Sequence, residues 1–436
     1  MSSRINREIL SLAVPSIITN ITTPLLALMD VAIVGHMGDA SYIAAIAIGG
    51  TVFNMIYWLF AFLRMGTSGM SAQAHGADDG HELDLVLTRG MLVALSASLL
   101  IIVLSPLIGR IAFSIMDVSG DVAVMAGKYF SILVWGAPAV LSTYTLSGWT
   151  LGRKNPRAPM WVSFIINIGN ILVSLLLVYG FGMKIKGVAV GTLSSQWLGA
   201  LSFIIIVVHR YRPEIPALGE ILQSRAIRRF FSVNADIFLR TCCLIAVTVW
   251  FTRVGSGQGV TVLAVNTLLM QFFILFSYFM DGFAFAGESL CGNCLGAADR
   301  PQLHRCIRAL IGWGAGVAVI FTIIYYICGE WIMQLLSSDN NVIDASKEYF
   351  NWVLLIPAVG FLAFTWDGVY IGITRTREML MSMLFSTAIY FILYATLYPH
   401  LGNHGLWIAF LSYLLTRGIV LHVLSKRVEK KIFLDK

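Results

Sequence analysis

The chain has 436 residues, 58% of them hydrophobic and 12% charged, where an ordinary soluble domain carries roughly 25% charged residues. Apolar stretches of the length that crosses a ~30 Å hydrocarbon core as a helix recur from end to end, which excludes a soluble globular fold. The formal charge of +7 reads as a topology signal and not as a nucleic-acid footprint, because the basic residues gather in the short links between apolar stretches.

In chain order, apolar segments bounded by charge and turn clusters predict transmembrane helices at about 8–34, 43–74, 88–113, 124–150, 158–181, 187–209, 227–252, 261–293, 303–329, 343–371, 379–399 and 404–425. The expected fold class is therefore all-α integral membrane, with about twelve spans. With the N-terminus in the cytoplasm, 21 of the 30 Lys and Arg residues fall on the cytoplasmic side and six outside. Three lie within helices: Arg64, Arg240 and Arg417. That split places both termini inside, and no cleavable signal segment is evident, so the first helix is expected to remain as an anchor.

The longest polar link lies at the middle of the chain. It divides the sequence into an N-terminal lobe of helices 1–6 (1–210), a cytoplasmic link (211–226) and a C-terminal lobe of helices 7–12 (227–436). The halves repeat one another. Gln73-Ala-His-Gly-Ala-Asp-Asp79 aligns with Asn293-Cys-Leu-Gly-Ala-Ala-Asp299 at an offset of 220. Gly148-Trp-Thr-Leu-Gly152 aligns with Gly368-Val-Tyr-Ile-Gly372 at the same offset, as do Arg157 and Arg377. Six helices per half is an even number, so both halves enter the membrane in one direction. Parallel repeats of this kind imply a pseudo-two-fold axis along the membrane normal, with a substrate route between the lobes.

No catalytic motif is complete. His81-Glu82 begins like a metalloprotease helix, but Leu85 stands where the second histidine belongs. Gly120 to Lys128 has the wrong spacing for a phosphate loop, and Gly312-Trp-Gly-Ala-Gly316 the wrong spacing for a dinucleotide turn. Cys291-Gly-Asn-Cys294 is half a zinc site without a second half, so no metal and no organic cofactor is expected. Without a nucleotide site, any pumping must draw on an ion gradient.

Acids inside the apolar segments carry the chemistry: Asp30, Asp236, Asp281, Glu288 and Asp367. A carboxylate in hydrocarbon is costly, so such groups face a cavity or a partner and mark ion or substrate paths. Asp30 has no cation within a helical turn, and the alternative for it is a neutral acid hydrogen-bonded in a packed core. Asp236 and Arg240 are four apart, which suits a structural ion pair as well as a functional one. Asp281 and Glu288 share a helix face two turns apart, with Glu288 toward the cytoplasmic end. Asn170 and Ser174 share a face of helix 5 and Thr192 follows on helix 6; interhelical hydrogen bonding is the plain alternative for these three. Pro15 and Pro24 precede Asp30, each removing a backbone hydrogen bond and inviting a bend.

The chain resembles the multidrug and toxic compound extrusion (MATE) transporters, specifically their DinF-like branch. The resemblance is carried by Leu-Met-Asp30-Val-Ala-Ile-Val-Gly-His, Met280-Asp-Gly-Phe-Ala-Phe-Ala-Gly-Glu288, Trp366-Asp-Gly-Val-Tyr-Ile-Gly-Ile-Thr-Arg375 and Leu401-Gly-Asn-His-Gly-Leu-Trp407. It implies two six-helix lobes around a cavity open alternately to each side. It also implies export of small organic compounds, amphipathic and often cationic, in exchange for protons or sodium ions. The helix 1 acid of the family's coupling site falls on Asp30, an Asn and its i+4 partner on Asn170 and Ser174, and a helix 6 threonine on Thr192. Ser174 departs from the family's Asp or Asn, which favours a proton over sodium as the coupling ion. Asp367, Asp236, Arg240, Asp281 and Glu288 are candidates for substrate attraction or a second ion site. The resulting expectation is a non-enzymatic, monomeric exporter in the lipid bilayer of the bacterial cytoplasmic membrane. Its rivals are a lipid-linked glycan flippase of the same broad architecture and an intramembrane enzyme. A flippase should line its cavity with cations, whereas the in-membrane acids here outnumber the bases five to three.

Overall fold

A computed structural model describes residues 2–35, 40–116, 120–337 and 339–434, and their side chains except at 2–3, 23, 25–28, 34, 35, 40, 225 and 427–434. No strand occurs among the described residues. The helices are α1 (Ser2–Gly35), α2 (Ala40–Leu59), α3 (Phe62–Gly76), α4 (Gly80–Ile115), α5 (Gly120–Leu133), α6 (Ala137–Gly152), α7 (Arg157–Leu175), α8 (Lys184–Tyr211) and the single turn α9 (Leu218–Ile221). They continue with α10 (Ser224–Gly257), α11 (Val260–Gly296), α12 (Arg300–Leu336), α13 (Asn340–Gly372), α14 (Thr376–Leu401) and α15 (Asn403–Leu434).

Eleven helical stretches among the described residues, from Ser41–Gly76 to Asn403–Lys426, are long and apolar enough to cross a membrane. The 34-residue α1 precedes them, so the order follows the twelve predicted segments. Several helices overrun the predicted ends. At 1.5 Å per residue, α11 with its 37 residues is about 55 Å long, well beyond a ~30 Å hydrocarbon core. Apolar side chains such as Leu99 on α4 and Ile327 on α12 stand exposed, the arrangement lipid permits and water penalises.

Three predicted single helices carry local breaks. The segment predicted at 43–74 tightens at Phe60–Ala61 into i→i−3 hydrogen bonds (Phe60 N–H to Tyr57 O, 3.0 Å; Ala61 N–H to Trp58 O, 3.1 Å) between α2 and α3. A 3₁₀ turn at Val134–Gly136 joins α5 to α6, and a π turn at Leu176–Gly180 ends α7. By contrast α1 runs as one helix through Pro15 and Pro24.

By contacts the chain falls into two compact units, Met1–Ile17 with Ala235–Lys436, and Ile18–Asn234. The lobe boundaries expected at 210 and 227 differ from this grouping by the first half of α1 and the first turns of α10. In the Ile18–Asn234 unit, Phe53, Tyr129, Phe130, Leu141 and Val188 form a core, and Trp149 ties α6 to α4 by donating to Leu83 O at 2.9 Å. The link holds α9, which sequence periodicity did not predict. Arg89 of α4 donates from Nε to Ile221 O (3.2 Å) and from Nη2 to Glu220 O (2.9 Å), so a base read as a topology charge also caps this turn. In the other unit Phe251, Phe272, Phe276, Tyr325 and Trp407 dominate the core.

The sequence repeat is a structural repeat. After α3, Asp78 takes φ 56° and Asp79 caps α4 by accepting the Glu82 N–H at 2.9 Å. After α11, Ala298 takes φ 55° and Asp299 caps α12 by accepting the Gln302 N–H at 2.9 Å. Lys154 and Thr374, after α6 and α13, share the same left-handed turn (φ 59° and 51°).

Candidate functional site

The Ile18–Asn234 unit gathers three of the four predicted coupling residues. Asp30 on α1 is 3% exposed, Asn170 on α7 is fully buried and Thr192 on α8 is 5% exposed. The α7–α8 crossing brings them together. Gly191 has no side chain, and a Cβ there would lie 2.8 Å from Ser174 Cα and 2.9 Å from Ser174 N, so any larger residue would push the helices apart.

The hydrogen bonds close a triangle. Asn170 Nδ2 donates to Asp30 Oδ1 (3.0 Å) and to Thr192 Oγ1 (2.9 Å). Thr192 Oγ1 lies 2.9 Å from Asp30 Oδ2 and 3.0 Å from Val188 O. A hydroxyl has one proton and two lone pairs. Thr192 therefore serves one of these two acceptors at a time while still accepting from Asn170. Ser174 sits one turn beyond Asn170, packed on Gly191, and its Oγ has no hydrogen-bond partner among the described residues; neither has Asn170 Oδ1.

At the repeat-equivalent positions of the other unit stand Trp250, Tyr390 and Tyr394 in place of Asp30, Asn170 and Ser174. Trp250 packs edge-on against Tyr394 with ring centroids 5.8 Å apart. The acid site belongs to one repeat alone.

The remaining candidates lie in the Met1–Ile17/Ala235–Lys436 unit. Arg240 on α10 pairs with Asp367 on α13, and Arg417 on α15 pairs with the same carboxylate oxygen. Asp236, one turn before Arg240, accepts instead from Thr376 Oγ1 at 2.8 Å. Glu288 is 1% exposed, more deeply buried than its place toward the end of α11 suggested, while Asp281 is half-buried. Arg417 was visible in the sequence only as one of three bases inside helices. Nothing in its spacing from Asp367 showed that the two would meet.

A bundle of long apolar helices built from two repeats, with buried acids inside them, defines a polytopic transport protein. The MatE family model matches twice, at residues 15–176 and 235–396, again 220 apart. DNA damage-inducible protein F of Escherichia coli (strain K12) is 36% identical over 95% of this chain and 91% of its own. The probable multidrug resistance protein NorM of Thermotoga maritima is 23% identical over 99% of this chain and 95% of its own. Among solved structures, the Vibrio cholerae MATE transporter VcmN in its bent form superposes with a TM-score of 0.91 at 15% identity, covering 99% of both chains. The chain belongs to the MatE family, the multidrug and toxic compound extrusion transporters, in its DinF-like branch. It is thus a multi-pass membrane transporter and not an enzyme, in a family that uses cation gradients to move small organic substrates.

Proposed function

We propose that this transporter is a proton-coupled antiporter of the bacterial cytoplasmic membrane, acting as a monomer with both termini inside, that exports amphipathic and often cationic organic compounds. Relatives named as multidrug resistance proteins support the cargo class. The observation that carries proton coupling is the shared hydroxyl of Thr192. With Asp30 charged, the hydroxyl donates to Oδ2. With Asp30 protonated, the acid donates to Oγ1 and the hydroxyl turns to Val188 O. Both protonation states keep their hydrogen bonds in a buried site, where an unmet polar group costs about 1–3 kcal/mol.

Loading the proton removes the carboxylate's demand for donors and lets α1 repack, which lowers affinity for the drug. Coupling requires that difference in affinity between states; a proton bound equally in both would shift nothing. A sodium reading draws on the two oxygens without partners among the described residues, Asn170 Oδ1 and Ser174 Oγ, which an ion could recruit beside Asp30.

Efflux from proteoliposomes under imposed proton or sodium gradients separates the two. Proton coupling predicts dye export driven by a pH gradient without sodium and abolished in Asp30→Asn, which mimics the protonated acid and cannot cycle. Export by Asp30→Asn at the wild-type rate, or strict sodium dependence at constant pH, would refute it.

A further inference from the structure

The charges of the Met1–Ile17/Ala235–Lys436 unit do not balance where they meet. Arg240, Asp367 and Arg417 are 7%, 5% and 2% exposed, and two guanidinium groups share one carboxylate. Arginine does not give up its proton in proteins, so the cluster keeps one net positive charge in a buried setting, where unpaired charge is costly.

The hydrogen bonds are also incomplete. Both arginines donate through Nη2 to the single oxygen Asp367 Oδ2. A guanidinium matches a carboxylate best through two parallel N–H groups, yet here the Nε groups of Arg240 and Arg417, both buried, have no hydrogen-bond partner among the described residues; nor has Asp367 Oδ1. The side chains packed near them are aromatic. The Arg417 guanidinium lies 5.5 Å from the ring centre of Phe364. One turn along α15, Tyr413 packs against Phe410 and Tyr390.

We propose that Arg240 and Arg417 form an anion site around Asp367 that takes the carboxylate of a small aromatic monocarboxylate. One negative charge neutralises the cluster. A planar carboxylate supplies the acceptors that the two Nε groups lack, and an aromatic body suits the surrounding rings. The local charge is therefore opposite to that suggested by the count of five acids against three bases. Cationic cargo is repelled here and is handled elsewhere in the protein. The site is independent of Asp30, since it lies in the other unit and needs no gradient to fill.

The test is equilibrium binding of 1-naphthoate to the full-length protein in detergent at neutral pH, with no gradient, so its outcome is separate from that of proton coupling. Saturable binding is expected, displaced by benzoate but not by 1-naphthylmethylammonium or by equal chloride. Arg240→Gln and Arg417→Gln should each weaken it by about tenfold or more, and Arg417→Lys, which restores the charge, should recover part of the loss. Should a glutamine variant fail to elute as a monodisperse peak, the wild-type competition decides alone. Absence of saturable binding, displacement by the ammonium compound or by equal chloride, or full affinity in well-folded Arg417→Gln overturns the assignment.

Discussion

Gly152 and Gly372 make the same close approach in the two repeats. A Cβ on Gly152 would lie 2.7 Å from Ser68 O and 2.7 Å from Ala72 N; one on Gly372 would lie 2.5 Å from Glu288 O and 3.0 Å from Gly292 N. The partners are themselves 220 apart. Gly148 and Gly368 repeat the pattern against the backbones of Arg64 and Ala284.

These contacts are with helix backbone, which cannot swing aside as a side chain does. Gly152→Ala and Gly372→Ala should each destabilise the protein by about 1–3 kcal/mol through overpacking, read as a lower unfolding temperature in detergent. Gly312→Ala on α12 is the control, because a Cβ there meets nothing within 4 Å and alanine favours the helix. An equal loss in the control would mean that the close approach is not the cause.

Much of this fold was legible because lipid writes a strong pattern. Apolar runs gave the order of the membrane-crossing segments but not all their ends, since α4 begins at Gly80 and not 88 and α12 ends at Leu336 and not 329; two glycine motifs gave the repeat. The breaks at Phe60–Ala61, Val134–Gly136 and Leu176–Gly180 were not legible, since hydropathy averages over a turn that shifts from i−4 to i−3 or i−5 bonding. The site was half legible. Asp30 stood out by its isolation in an apolar run, and Asn170 and Thr192 by family resemblance. The pairing of Arg417 with Asp367 was hidden, because it joins helices whose facing depends on packing and not on spacing.

The asymmetry of that cluster sets the next expectation. Arg417→Met leaves Arg240 and Asp367 as a balanced pair, so the unfolding temperature should change little or rise. Asp367→Leu leaves two buried cations facing each other and should cost about 3–5 kcal/mol, the range for breaking a buried pair. Comparable losses in both variants would count against a net positive cluster.

Ser174 is expected to matter less than its place in the family pattern implies. Its hydroxyl has no hydrogen-bond partner among the described residues, and removing an unsatisfied buried group is close to neutral. Ser174→Ala should keep most proton-driven efflux and full thermal stability. A loss as deep as that of Asp30→Asn would show that the hydroxyl holds the coupling ion, which is the sodium reading.

Topology rests on the charge split between the two faces. Single cysteines at Lys154, Gln302 and Arg377 should react with membrane-impermeant maleimide only after the membrane is opened. Those at Lys184 and Asn340 should react in intact cells. One inverted position breaks the twelve-helix orientation.

Thr192 separates proton exchange from simple helix packing. Its hydroxyl stands 2.9 Å from Asp30 Oδ2 and 3.0 Å from Val188 O, so turning the O–H between them replaces one good bond by another. Valine has nearly the same shape and no proton to give. In Thr192→Val the charged carboxylate keeps its Asn170 bond and loses a buried donor, which costs about 1–3 kcal/mol. The protonated acid loses Oγ1 as the acceptor of its O–H in the same variant, so neither state keeps its partner, proton exchange at Asp30 is hindered and efflux should drop by about tenfold or more. Thr192→Ser keeps the hydroxyl and should stay within about threefold of wild type, since the transfer needs the O–H and not the methyl group. The measurement is the initial rate of dye efflux from vesicles under a fixed pH gradient, with unfolding temperatures recorded for both variants. If valine and serine lower efflux alike, or valine leaves it unchanged, Thr192 is a packing residue and Asp30 must exchange its proton by another route.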